Sequence, residues 1–220
     1  MAPTHPQTSI ERIGIDESGK GDYFGPLVIA AVFVDAVTQG ELVLMQVRDS
    51  KKISDGRILE MAPDIRSICP HSIVAIGPQK YNELYAKIKN LNRLLAWGHA
   101  RALENLLDKV SCGRAISDQF GDEQLILNAL QAKGRTIVLE QRPKAESDIA
   151  VAAASILARA EFLIRLKRLS EEVGTTLPKG ASSTVELAAR MVMKKHGRER
   201  LGAVAKLHFK TTQAVLAGLA

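Results

Sequence analysis

The sequence predicts an α/β protein with helices layered on one central sheet. Two observations carry this: five short apolar runs rich in β-branched residues, near 10–16, 27–34, 72–77, 115–119 and 135–140, and helical periodicity that crowds into the second half. Size is the third. At 220 residues, 46% hydrophobic and 25% charged, the chain suffices for one well-cored domain, expected over 10–220 behind a disordered, proline-bearing tail at 1–9.

The first strand, 10–15, delivers Asp16-Glu17 and then Ser18-Gly19-Lys20-Gly21-Asp22. Side chains alternate along a strand, so the two acids share a target only if the strand is ending and the chain is turning there. Gly19 and Gly21 permit a turn and a close approach of backbone to phosphate, with Lys20 held between them as a positive charge. Adjacent carboxylates at a strand end also call for a cation. Gly14 to Lys20 meets the first seven positions of a nucleotide-binding phosphate loop, G-x-x-x-x-G-K, but Gly21 stands where a hydroxyl should hold magnesium. The next run, 27–34, reads as a strand rather than the helix such a loop must open.

The remaining elements follow in order. Asp49-Ser50-Lys51-Lys52 precedes Ser54, an N-cap for a helix to about 68; the paired lysines are either solvated or phosphate contacts. A third strand is expected over 71–76. Tyr81, Leu84, Tyr85 and Ile88 recur at helical spacing, and a longer helix spans about 91–110. Asn92 either caps that helix or offers its amide to a sugar or phosphate. A strand over 114–120 carries Asp118, costly to bury unless something pairs with it. Asp122 and Glu123 suit the first turn of the following helix. After a strand at 135–140 come Glu146, Ser147 as a helix cap, and Asp148 in the first helical position of a helix from 149 to 168. The last helix is expected from about 184 to 196.

Composition excludes several classes. Residues 159–210 hold 12 Lys and Arg against 5 Asp and Glu, whereas the rest of the chain is nearly balanced. That is either a solvated basic face or a surface for a polyanion. Cys69 and Cys112 are far apart, which fits free thiols in a reducing, cytoplasmic setting, and the five histidines lack zinc spacing. No apolar run approaches a membrane span, no signal core is present, and no protein partner is implied, so a monomer is expected.

Asp16-Glu17-Ser18-Gly19-Lys20-Gly21, followed by a second strand, resembles the ribonuclease H type 2 superfamily, in which a strand carries D-E-S-G-(K/R)-G. Continued through Asp22-Tyr23-Phe24-Gly25-Pro26-Leu27, it looks like the ribonuclease HIII branch. Other stretches agree: D-S-K-K at 49–52, N-L-N from Asn90 followed by L-L-A-x-G-H-A, the Ser117-Asp118-Gln119-Phe120 flank, the alanine-rich 151–159, and the loops 177–182 and 205–212. The resemblance implies a ribonuclease H-like fold with a five-stranded mixed sheet, three antiparallel strands extended by parallel ones, flanked by helices and followed by a helical C-terminal region. It implies catalytic and metal-binding roles for Asp16, Glu17, Asp118 and Glu146, the fourth acid being Glu in this branch, with two Mg²⁺ or Mn²⁺ ions. It assigns substrate contacts to Ser18, Gly19, Lys20, Gly21, Ser50, Lys51, Lys52 and Asn92, and the RNA strand of an RNA–DNA hybrid as substrate. The residues alone support a metal-dependent phosphodiester site, because an all-carboxylate set suits hard divalent cations; the restriction to hybrids comes from the family. Cleavage at RNA–DNA junctions in the manner of ribonuclease HII, and a DNA nuclease on the same fold, are the other readings. The branch's usual N-terminal substrate-binding domain is not expected in this chain, and the basic C-terminal region is expected to take its part.

Overall fold

The computed structural model describes residues 10–119, 121, 124–130 and 134–217, the side chain of residue 135 excepted. The expectations for 1–9, Asp122 and Glu123 lie outside the described residues. Five strands, β1 (Arg12–Ser18), β2 (Leu27–Val34), β3 (His71–Ile76), β4 (Arg114–Asp118) and β5 (Val138–Arg142), form one sheet in the order β3-β2-β1-β4-β5. The first three are antiparallel, and β4 and β5 extend the sheet in parallel from β1. This is the mixed topology expected, with β1 at its centre.

Eight helices are described: α1 (Ala36–Leu44), α2 (Asp55–Ile68), α3 (Pro78–Ile88), α4 (Leu91–Leu107), α5 (Gln124–Ala129), α6 (Ile149–Val173), α7 (Ser183–Val204) and α8 (Lys210–Ala217). None is long and apolar enough to cross a membrane. The sheet is covered on both faces, which is why its strands read as continuous apolar runs. Val28, Ala30 and Val32 of β2 share one core with the alanines of α6, while Ile13, Ile15, Leu27 and Ile29 share another with Leu94, Leu95 and Leu103 of α4. The seam between β1 and α6 is tight. A Cβ on Gly14 would lie 2.1 Å from the carbonyl carbon of Ala150. Gly14 thus serves helix packing, and its match to a phosphate loop is incidental.

Several boundaries differ from expectation. Helix α1 was not anticipated; its N-terminus is a capping box in which Thr38 N–H donates to Asp35 Oδ1 (2.9 Å) and Asp35 N–H to Thr38 Oγ1 (2.9 Å). The fifth strand starts at Val138, because 134–136 forms a short 3₁₀ turn. Helix α6 runs on to Val173 and stops at Gly174, whose φ of 57° supplies a left-handed cap. Helical structure in α7 resumes beyond a kink at Gly197 (φ 80°, ψ 179°), one residue past the end expected for this helix at 196. Asp148, not Ser147, caps α6: its Oδ1 accepts from Ala150 N–H (2.8 Å), and Ser147 closes a 3₁₀ turn at Ala145–Ser147.

Candidate active site

The ends of β1 and β4, the 3₁₀ turns at Ser50–Lys52 and Ala145–Ser147, and α6 converge at one end of the sheet. Asp16, Glu17, Ser18, Gly19, Lys20, Gly21, Ser50, Lys51 and Asp118 line a cavity of about 420 Å³ there, joined by Arg159 and Lys179. Glu146 and Lys52 line an adjoining groove of about 510 Å³. Lys51 links the two, its Nζ 3.8 Å from Glu146 Oε1. Asn92 sits apart, in the first turn of α4 beside Gly121. It does not cap that helix; Asn90 does, accepting from Arg93 N–H (3.1 Å).

Strand β1 stays in register through Ser18, paired with Val28, so the chain turns at Gly19, later than the adjacent acids suggested. The two carboxylates are consequently held differently. Burial pushes the Asp16 carboxyl well above the usual carboxylate range, and neighbouring Glu17 and Asp118 push it further; a hydrogen bond from Glu17 N–H (2.8 Å) and the charge of Lys51 oppose this. Burial also acts to raise Glu17, but its hydrogen bond with His99, Nε2 to Oε2 at 3.1 Å, and Lys20, 3.5 Å from Oε1, outweigh that and lower it. His99 is fully buried, and its Nδ1 lies 3.2 Å from Ser117 Oγ, which in turn donates to the Asp118 carbonyl (3.1 Å). The strands bearing Glu17 and Asp118 are therefore joined through one imidazole. Sequence reasoning missed His99; its place in the G-H-A stretch of a helix facing β1 was the available signal.

On the other side, Asp118 Oδ1 accepts from Ala145 N–H (3.2 Å), tying β4 to the turn that carries Glu146. Glu146 Oε2 is buried and has no hydrogen-bond partner among the described residues. Burial opposes the charge on Lys51, yet Glu146, Asp16, Asp49 and Asp118 together raise its pKa. A cationic side chain among four acids marks where positive charge is required, and an orphaned carboxylate oxygen is a free ligand position. Among the described residues no three His, Cys, Asp or Glu side chains already meet at ligating distance. Glu17 is drawn to His99, and Glu146 faces the neighbouring groove.

The loop after β1 is set by one glycine. Gly19 has φ 88°, and a Cβ there would lie 2.1 Å from Pro26 O and 2.9 Å from the Phe162 ring. Gly21 has no such demand, since a Cβ there meets nothing within 4 Å. Its outer side is open. Arg159 donates to Ser50 O (2.9 Å) and to Asp55 (2.6 Å), while Lys179 also pairs with Asp55, so α6 and the 177–182 loop brace the Ser50–Lys52 turn. A larger cavity, about 640 Å³ between α3 and α7, holds no such cluster, and its Asn82 is spent on Gly202 O, Ala205 O and Leu207 N–H.

Acids at the ends of the first and fourth strands, beside a glycine-lysine loop on a β3-β2-β1-β4-β5 sheet, define a nuclease of the type 2 ribonuclease H fold. The family model described as Ribonuclease HII matches residues 13–212. Ribonuclease HIII of Protochlamydia amoebophila (strain UWE25) is 50% identical over 216 residues, 97% of this chain and 72% of its own length. Ribonuclease HIII of Chlamydia pneumoniae is 47% identical over 210 residues, covering 94% and 70%. The crystal structure of Bst-RNase HIII in complex with Mn²⁺ superposes with a TM-score of 0.89 at 37% identity, over 97% of this chain and 71% of that one. Ribonuclease H2 from Pyrococcus horikoshii OT3, at 21% identity over 95% of this chain and 98% of its own, shares the fold with a TM-score of 0.79. The chain belongs to the ribonuclease HII family of endoribonucleases, in its ribonuclease HIII branch.

Proposed function

We propose that this endoribonuclease hydrolyses the RNA strand of RNA–DNA hybrids by a two-metal-ion mechanism, with Asp16, Glu17, Asp118 and Glu146 as ligands. The observation that carries the reading is the state of the acids: Asp16 is half-buried with its ionised form disfavoured, Glu146 Oε2 has no hydrogen-bond partner among the described residues, and the Lys51 ammonium stands among Asp16, Asp118 and Glu146, with Asp49 beside them. An all-oxygen donor set fits Mg²⁺ or Mn²⁺. Such ions would activate water and neutralise the leaving oxygen of an in-line displacement. Asp16 would hold both ions, and Glu17, Asp118 and Glu146 would supply the remaining carboxylate ligands. His99 orients Glu17 and favours its ionised form, and Lys51 offsets the repulsion among the clustered acids.

The Gly19-Lys20-Gly21 backbone, exposed at Gly21, supplies donors and acceptors that a 2′-hydroxyl can meet, the group by which RNA differs from DNA. Ser50 and Lys51 flank the scissile phosphate, Lys52 follows the strand into the groove beside Glu146, and Asn92 meets the backbone farther along. Tyrosine occurs in this sequence only at positions 23, 81 and 85, so the tyrosine with which ribonuclease HII reads an RNA-to-DNA junction has no counterpart in it. Cleavage at many sites within long RNA stretches is expected, with weak activity on a single embedded ribonucleotide. Digestion of labelled hybrid, duplex DNA, duplex RNA and a one-ribonucleotide duplex, each with Mg²⁺ and with EDTA, tests this. Comparable rates on the hybrid and the one-ribonucleotide duplex would count against the substrate assignment, and cleavage in EDTA against the metal.

A further inference from the structure

Lys206 is a lysine with no exposure to solvent. Its ammonium meets no carboxylate among the described residues; its three donors go to main-chain carbonyls, those of Asp22 (2.7 Å), Gly25 (2.7 Å) and Phe24 (3.4 Å). Those residues continue the Gly19-Lys20-Gly21 loop. Burying an ammonium on neutral acceptors is expensive, and burial lowers the pKa of Lys206 to about 7, with Asp22 opposing. An apolar side chain would fill this space at lower cost. The charge therefore needs a reason.

The surrounding bonds supply one. Lys206 N–H donates to Tyr23 O (2.8 Å), Gly25 N–H to Val204 O (3.0 Å), Tyr23 N–H to Gly180 O (2.9 Å), and Gly180 N–H to Asp22 Oδ1 (2.6 Å). Every peptide from Asp22 to Gly25 is thus oriented from outside the loop. The peptide after Gly25 has no N–H to give, because Pro26 follows, so its carbonyl relies on Lys206. Pro26 O is the atom against which Gly19 is pressed. The segment bearing Lys206 is itself anchored by Asn82 through Gly202, Ala205 and Leu207.

We propose that Lys206 is a positioning residue for substrate: its ammonium sets the path of residues 22–26 and, through Pro26, the Gly19-Lys20-Gly21 backbone that meets the RNA strand. The substrate part rests on the function proposed above; the loop-holding part does not. A staple that only stabilises the fold would lower melting temperature and leave the KM of the folded enzyme alone. A positioning residue acts on substrate recognition.

The test compares wild type with Lys206→Met, and with Asp22→Ala, which releases the same loop from Gly180. Hydrogen exchange of the peptides covering 19–25 is measured alongside steady-state cleavage of an RNA–DNA hybrid with Mg²⁺, and of the same hybrid carrying one deoxynucleotide beside the preferred cleavage site. Losing charged hydrogen bonds to the loop is expected to speed exchange at 22–25 and raise KM about tenfold, with kcat within about threefold of wild type. It is also expected to shrink the wild-type penalty for the deoxynucleotide. Faster melting with unchanged exchange and unchanged KM would overturn the proposal. If Lys206→Met does not fold, Asp22→Ala decides by the same criteria. If wild type fails to cut the hybrid, the functional reading falls, and the exchange measurement alone decides whether Lys206 holds the loop.

Discussion

Replacing Glu146 with Gln removes one negative charge and changes the shape of the side chain hardly at all. Among the described residues its Oε2 has no hydrogen-bond partner to lose, and its ion pair with Lys51, at 3.8 Å, involves a lysine side chain that is 74% exposed. A pair of that kind contributes about 0–1 kcal/mol, so the melting temperature should move by no more than about 4 °C. Asp148, two residues on, is placed oppositely. It caps α6 and accepts from Arg12 Nε at 2.7 Å, each side chain being only 11% exposed, while the other Arg12 nitrogens are spent on Ile10 O and Gln39. Asp148→Asn keeps the cap but strips a buried guanidinium of its counter-charge, at a cost of about 2–3 kcal/mol. Stability is the expected casualty there, by more than a helix-dipole argument alone suggests. For activity the order reverses: Glu146→Gln should reduce Mg²⁺-dependent hybrid cleavage by about 100-fold or more, beyond what residues one step removed from a metal cost. Thermal melts and cleavage rates at a temperature where both variants are folded provide the comparison. Wild-type activity in Glu146→Gln together with an inactive, folded Asp148→Asn would refute the ligand assignment.

Other outcomes follow from the same geometry. The raised Asp16 pKa means the metal-free folded protein holds a proton that the unfolded chain releases near 3.8, so stability in EDTA should fall as pH rises from there. Asp16→Asn should remove that loss and melt higher than wild type at pH 7 in EDTA, with the difference vanishing at low pH. Gly19→Ala should destabilise the protein and abolish cleavage, since its φ of 88° and the nearby Pro26 carbonyl leave no room for a methyl group, whereas Gly21→Ala should fold normally and raise KM. Replacing Lys194 and Lys195 together by Ala should flatten the salt dependence of hybrid binding by about one to two phosphate equivalents, read from log affinity against log salt; an unchanged slope would return them to a solvated face. Lys194 is the better candidate of the two, since Lys195 Nζ also reaches Val173 O (3.5 Å).

The sheet was legible because its inner strands are buried on both faces, β2 being apolar throughout and β1 and β4 holding Ile13, Ile15, Ala115 and Ile116. Helix α1 was not, since it buries only Leu42 and is specified by a cap between Asp35 and Thr38 rather than by periodicity. The acids at 16 and 17 could be read from their adjacency, while Asp118 and Glu146 needed the family pattern as well. What no local pattern reveals is contact between distant elements: His99 reaching Glu17 across 82 residues, or Lys206 reaching Asp22 across 184. Net charge misled in the same way. Of the basic residues in 159–210, Lys206 is buried, and Arg159, Arg165, Lys167, Lys179, Arg190 and Arg200 pair with acids, so the surface left to attract a polyanion is smaller than a count suggests.

The four-acid site is tested most directly by locating Mn²⁺ through its anomalous scattering in crystals of the protein with a hybrid of uncleavable RNA. Two peaks about 3.5–4 Å apart are predicted, bridged by Asp16 and completed by Glu17, Asp118 and Glu146. A single ion, or a second ion bound by Asp148 with Glu146 left facing the groove beside Lys52, would contradict the account.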